Sequence, residues 1–191
     1  LRTLPEDDPR REKLKIIADE ANRLEHLLTE VRDFTRPPRP QPRETDLNGL
    51  VGEVLRMFEA QAAEQGIVCR MDSAEDIPVC RIDSNQIKQV LINLVKNAVE
   101  AMPDGGSLKV TTARDGQHLK VTVENSGEGI PPEVMKRIFH PFFSTKAKGT
   151  GLGLAVSYKL VQDHGGEIVV QNYEGQGARF TVSLPLEAKT D

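Results

Sequence analysis

Two asparagines one helical turn apart, Asn93 and Asn97, are the residues of this chain best suited to hold a hard cation. They lie in the segment 86–102, where Ile87, Val90, Leu91, Leu94, Ala98 and Met102 recur at helical spacing and would face a core. Gln89, Asn93 and Asn97 step by four along a second stripe, joined by Lys96 and Glu100. The amide pair offers two carbonyl oxygens and two donors side by side. Such oxygens suit Mg2+, which takes few protein ligands and keeps most of its waters. By itself the helix reads better as an amphipathic helix with a wet polar face. Two glycine turns downstream change that balance. Asn125-Ser126-Gly127-Glu128-Gly129-Ile130 closes the alternating run 119–124, and Lys148-Gly149-Thr150-Gly151-Leu152-Gly153-Leu154 opens the helical pattern 155–164. Glycines let backbone amides approach a polyphosphate, and a helix start adds free N–H groups and a positive dipole end. Neither turn fits the Walker A or dinucleotide-binding pattern.

The order of these pieces carries more than any one of them. The asparagine helix comes first, then Asn125 to Ile130, then Phe139-His140-Pro141-Phe142, then Gly149-Thr150-Gly151-Leu152-Gly153-Leu154. This resembles the N, G1, F and G2 boxes of sensor histidine kinases, within the ATPase superfamily of gyrase, Hsp90 and MutL. Phe142-Phe143-Ser144-Thr145-Lys146, Asp163-His164-Gly165-Gly166 and Gly175-Gln176-Gly177-Ala178-Arg179-Phe180 with Leu184-Pro185 resemble the nitrogen-regulation type. The match runs over about residues 44–187.

The resemblance implies ATP and Mg2+ as ligands, with the metal or its water on Asn93 and with Asn97 on phosphate or metal. It implies catalytic work for Asn93 and Lys146, the latter reaching the γ-phosphate from a lid over residues 140–150. Gln89 or Glu100 would orient a proton acceptor, and Lys96 would neutralise phosphate charge. The nucleotide set is completed by Asn125, Gly127, Gly129 and Ile130 of the first turn, and by Phe139 and Phe142. From the second turn come Lys148, Gly149, Thr150, Gly151, Leu152, Gly153 and Leu154, and Thr181 is added from the last strand. One departure stands out. The family usually has Asp where this chain has Asn125, and that carboxylate accepts from the adenine amino group. Asn keeps a carbonyl acceptor, lacks the charge and offers an NH2 to the atoms on its other side. A charge-assisted bond is roughly twice as strong as a neutral one, so a loss of about 1 kcal/mol follows. Ala178 also stands where relatives more often have Thr.

The elements that must position these residues follow from periodicity. From Arg10, Leu14, Ile17, Ala21, Leu24, Leu28 and Val31 step by three and four, the seam of a coiled coil or bundle, which calls for a partner. The resemblance makes this the second helix of a dimerisation and phosphotransfer hairpin, hence a homodimer in the parent protein. The first helix, with its phosphoacceptor histidine, is missing. His26 is followed by Leu27-Leu28-Thr29-Glu30 and reads as a helix-surface residue, so the chain holds no phosphoacceptor. Arg36-Pro37-Pro38-Arg39-Pro40-Gln41-Pro42-Arg43 ends the helix as a semi-stiff spacer. Asp46 is expected to cap a helix reaching about Gln65. Strands are expected over 67–71, 79–82, 108–113, 118–124, 167–171 and 179–184, one sheet face buried and one solvated. The expected fold is an α/β two-layer sandwich, helices on one face of a mixed, largely antiparallel sheet (the Bergerat ATP-binding fold), preceded by one long bundle helix. The division is 1–36 partial dimerisation domain, 37–43 linker, 44–187 catalytic ATP-binding domain and 188–191 tail.

Bulk properties fit. The 191 residues, 38% hydrophobic, allow one ordinary domain and an extension. A net charge of -4 gives no footprint for nucleic acid or an anionic membrane. Cys69 and Cys80 make no metal pattern and read as a reduced pair. No apolar run reaches transmembrane length and no signal peptide is present, so the segment is expected to be cytoplasmic without direct membrane contact. The opening at Leu1 suits an excised piece, and a membrane-anchored parent stays open.

The implied activity is transfer of the ATP γ-phosphoryl to a histidine outside this chain, then to an aspartate on a response-regulator receiver domain. Two alternatives remain: a nucleotide-responsive dimerisation module that has lost transfer, and another ATPase of the superfamily, such as a MutL-like clamp or an anti-sigma serine kinase.

Overall fold

Alternating apolar residues build the sheet on which the site rests. A computed structural model of the chain describes residues 10–35, 39–146, 149–172 and 177–186. Its elements run α1 (Arg10–Thr35), β1 (Arg43–Thr45), α2 (Leu47–Glu64), β2 (Ile67–Ser73), β3 (Cys80–Ile82) and α3 (Ser84–Glu100). They continue β4 (Gly106–Asp115), β5 (His118–Asn125), α4 (Pro132–Met135), α5 (Gly153–Asp163), β6 (Glu167–Asn172) and β7 (Ala178–Pro185). The chain divides into two compact units, Leu1–Pro37 and Pro38–Asp191.

In the first unit, α1 leaves most of its expected seam exposed. Leu14, Ile17, Leu24 and Leu28 are exposed. The side chain of His26 lies outside the described residues.

In the second unit β2, β4, β5, β7 and β6 form a sheet in that order, parallel between β2 and β4 and antiparallel elsewhere. Leu119, Val121 and Val123 of β5 face Leu184, Val182 and Phe180 across the ladder to β7, and all six are buried. The helices α2, α3 and α5 cover this face. Residues of opposite parity, among them Thr122, Glu124, Arg179 and Thr181, are less buried and occupy the other face. This is the expected two-layer α/β arrangement, and the strands extend the expected ranges by one to two residues at several ends.

Two local expectations change. Arg43 pairs with Ile82 in a small ladder of β1 with β3, and Gln41 N donates to Asp83 Oδ2 at 2.9 Å. The end of the proline-rich stretch is thus built into the second unit, because its backbone donors find partners there. Asp46 occupies the N-cap position of α2 but makes no side-chain cap bond. Its carboxylate lies over Gly49, where an added Cβ would come within 2.6 Å of Oδ2. The working cap is Asp83, whose Oδ1 accepts from Asn85 N at 3.0 Å and Gln86 N at 3.2 Å. The Asp83 N–H in turn donates to His164 Nε2 at 3.1 Å, while His164 Nδ1 donates to Leu160 O at 2.7 Å. The start of α3 is thereby tied to the end of α5.

Cys69 and Cys80 are both free. Burial pushes the Cys80 thiol up to about 11 and raises that of Cys69, so both stay protonated at neutral pH.

Candidate functional site

Helix α3 buries Ile87, Val90, Leu91, Leu94 and Ala98, which turns its polar stripe toward the start of α5. Asn97 Nδ2 donates to Asn93 Oδ1 at 3.3 Å. Asn93 Nδ2 donates to Ser157 Oγ on α5 at 2.9 Å. Lys146 Nζ donates to Asn97 Oδ1 at 2.9 Å and also pairs with Glu100. Lys96 Nζ stands 4.0 Å from the same carboxylate. Gln89 is exposed, one turn before Asn93. The result is a row of polar atoms that takes in Lys146, from the segment between α4 and α5. Its donor set fits Mg2+: two neutral amide oxygens with a carboxylate close by leave most of the coordination shell to water and phosphate. Among the described residues no cluster of three or more His, Cys, Asp or Glu side chains offers a competing metal cage.

The first glycine turn is held by two further amides. Asn125 is 3% exposed, and its hydrogen-bonding neighbours assign the amide. So oriented, Nδ2 donates to Ala178 O at 3.1 Å and Oδ1 accepts from Gly127 N at 3.1 Å. The NH2 of Asn125 thus finds its partner on β7. Asn172, at the end of β6, accepts from Ile130 N at 2.9 Å and donates to Ile130 O at 2.5 Å. Gly129 lies beside it, where a Cβ would approach the Asn172 amide to 3.3 Å. Asn125→Asp should therefore destabilise the unliganded chain, by about 1–3 kcal/mol, because a buried carboxylate cannot donate to Ala178 O. Burial raises the pKa of such a carboxyl, so the loss should grow as pH rises above the ordinary carboxylate range and shrink in acid. Thermal unfolding at pH 5 and pH 8 measures both; equal melting of variant and parent at pH 8 would refute it.

The second turn comes close to both the Phe142–Phe143 backbone and α3. Gly151 has φ +70°, and a Cβ there would lie 2.5 Å from Phe142 C. Gly153 begins α5, and a Cβ on it would lie 2.5 Å from Asn93 Oδ1. Leu152 is buried and its N–H donates to Thr150 Oγ1 at 3.3 Å, while Leu154 is half-buried. Phe139 packs on Tyr158 of α5 with ring centroids 5.3 Å apart. Arg137 stacks over Phe143, 4.4 Å from its centroid. Phe142 is 68% exposed with φ +64°. Lys148 lies outside the described residues.

The structure brings together Asn93, Asn97, Lys96, Lys146, Glu100 and Gly153. It does not bring Thr181 to them. Thr181 sits on the sheet face opposite the helices, 3.3 Å from Thr122 Oγ1, because its parity is opposite to that of Ala178 and Phe180. Ser157 and Asn172 escape sequence reasoning. Ser157 leaves one trace, a polar residue inside the apolar run Ala155-Val156-Ser157; Asn172 leaves none.

Comparison with known proteins gives a consistent picture. The model of the "Histidine kinase-, DNA gyrase B-, and HSP90-like ATPase" family matches residues 82–188. Sporulation kinase A of Bacillus subtilis (strain 168) is 42% identical over 171 residues, which is 89% of this chain and 28% of that kinase. The chain therefore spans under a third of that relative's length. The catalytic domain of the histidine kinase ThkA, solved without nucleotide, superposes with a TM-score of 0.72 at 38% identity, covering 78% of this chain and 98% of that domain. ThkA in complex with the response regulator TrrA gives a TM-score of 0.80 at 32% identity, over 98% of this chain and 55% of that one. Full-length ShkA with AMPPNP gives 0.87 at 26% identity, over 100% of this chain and 42% of that one.

Proposed function

As this chain belongs to the histidine kinase-, DNA gyrase B- and HSP90-like ATPases, and among them to the histidine kinase catalytic domains, we propose that it binds ATP with Mg2+ and transfers the γ-phosphoryl to a histidine outside the chain. A response-regulator aspartate would receive the phosphoryl next. The observation that carries this reading is the continuous row Ser157, Asn93, Asn97, Lys146 and Glu100 beside the first residue of α5.

Each member has a task that its chemistry suits. The amide oxygens of Asn93 and Asn97 supply hard donors without adding negative charge next to a triphosphate. Bound there, Mg2+ would neutralise charge on the phosphate oxygens during a loose, in-line transfer. Lys146 is held by Glu100 and Asn97 in the unliganded chain, and it would exchange both for phosphate oxygens. Free N–H groups at the start of α5 add fixed dipoles. No nucleophile is required of this unit. The exposed apolar seam of α1 supports a homodimer in the parent protein, since Leu14, Ile17, Leu24 and Leu28 need covering. The ThkA–TrrA complex supports a receiver domain as the next partner. Among the described residues no helix is long and apolar enough to cross a membrane.

Titration calorimetry with ATP, with and without Mg2+, followed by mixing with a hairpin bearing the phosphoacceptor histidine and ATP labelled on the γ-phosphate, tests the proposal. Mg2+-dependent uptake and label on the hairpin histidine are expected. Absence of uptake, or label on His26 of the chain alone, would overturn it; steady hydrolysis without transfer would favour another ATPase of the superfamily.

A further inference from the structure

A side-chain amide fits its site almost equally well in two orientations half a turn apart, yet only one of them offers oxygen to a cation. What selects the orientation of Asn93 can be followed through the row of hydrogen bonds. Lys146 Nζ has no acceptor capacity, so Asn97 must turn its oxygen to it, at 2.9 Å. That leaves Asn97 Nδ2 to donate to Asn93 Oδ1 at 3.3 Å. Asn93 Nδ2 then points the other way and needs an acceptor, which Ser157 Oγ provides at 2.9 Å. Ser157 is 2% exposed, one turn into α5, in a stretch otherwise filled by Ala155, Val156 and Leu160. Gly153 keeps the space beside Asn93 Oδ1 open, since a Cβ there would sit 2.5 Å from that oxygen.

We propose that Ser157 is a positioning residue: it anchors the Asn93 side chain against α5, beside Gly153, where a nucleotide-bound Mg2+ would meet its oxygen. The inference rests on the Mg2+–nucleotide reading above. Its force comes from the lid end of the row. Once Lys146 leaves Asn97 for a phosphate, the far end is fixed only by Ser157. Without that hydroxyl the Asn93 amide loses its buried partner on α5 and is no longer held beside Gly153. The effect falls on metal coordination and leaves the remaining nucleotide contacts in place.

Titrating the chain with ADP in Mg2+ and again in EDTA measures how far the metal tightens binding. Ser157→Ala should cut that Mg2+-dependent gain about five-fold, the worth of one hydrogen bond, while affinity in EDTA stays within about two-fold. Ser157→Thr, which keeps the hydroxyl, should retain the gain, and the similarly shaped Ser157→Val should lose it. Should these variants fail to fold, NMR of the unliganded parent decides: the Asn93 Nδ2 protons should resonate as hydrogen-bonded and exchange slowly. Free-amide behaviour there, or an unchanged Mg2+ gain in Ser157→Ala, overturns the role of Ser157 alone. A parent chain with no Mg2+-dependent gain overturns the functional reading and this role with it.

Discussion

Replacing Asn93 with alanine is expected to lower Mg2+-dependent nucleotide affinity by about 100-fold, since even groups that only support a metal ligand are worth about 10- to 100-fold. The change should be nearly silent in folding. Asn93 is half-buried on the polar stripe of α3, and its amide bonds reach only Ser157 and Asn97. Alanine is the best helix former, so the helix gains backbone propensity as it loses those bonds. The two effects oppose each other and should leave the melting temperature within about 3 °C of the parent, as a net change of under about 1 kcal/mol would. Binding calorimetry beside a thermal melt separates the two effects. Retention of full Mg2+-dependent affinity would remove Asn93 from the metal site and break the row of polar atoms on which the functional reading stands.

The second large effect falls on stability. Gly127→Ala places a Cβ 2.1 Å from Ala101 O and 2.9 Å from Ala101 C. Both atoms are backbone at the C-terminal end of α3, and neither can swing aside as a side chain would. The turn and the helix end must separate, which strains the Gly127 N–H bond to Asn125 as well. Overpacking of this kind costs about 3 kcal/mol, and for a domain of this size that lowers the melting temperature by about 6–12 °C. Gly129→Ala is the control, since its Cβ would meet only the Asn172 amide, at 3.3 Å. A thermal melt of both variants should show a wide gap between them. Similar melting temperatures would mean that the first turn does not need its close approach to α3.

How much of this was legible beforehand depends on how far apart the interacting residues lie. The stripe Gln89, Asn93, Asn97 is a property of one helix, and four-residue spacing alone places its members side by side. The glycine turns were equally plain, since their spacing and flanking strand and helix patterns are local. Thr181 shows the limit of that reasoning. Its membership of β7 was visible, but a shift of one residue moves a strand side chain to the opposite face, and it ends beside Thr122. Asp46 was legible as a helix cap from the sequence, and Asp83 was not. Only packing decided that Asp46 lies over Gly49 and that Asp83 caps α3 while its N–H meets His164, 81 residues away.

By itself the sequence determined the helices, most strands, the buried face of the sheet and the chemical types at the site, because backbone periodicity and turn chemistry act over a few residues. Tertiary structure alone decided which amide meets which partner. Asn93 with Ser157 spans 64 residues, and Ile130 with Asn172 spans 42. Hydrogen bonds are short and directional, so they form only where folding has already brought two such groups to within about 3 Å. No spacing along the chain encodes that meeting.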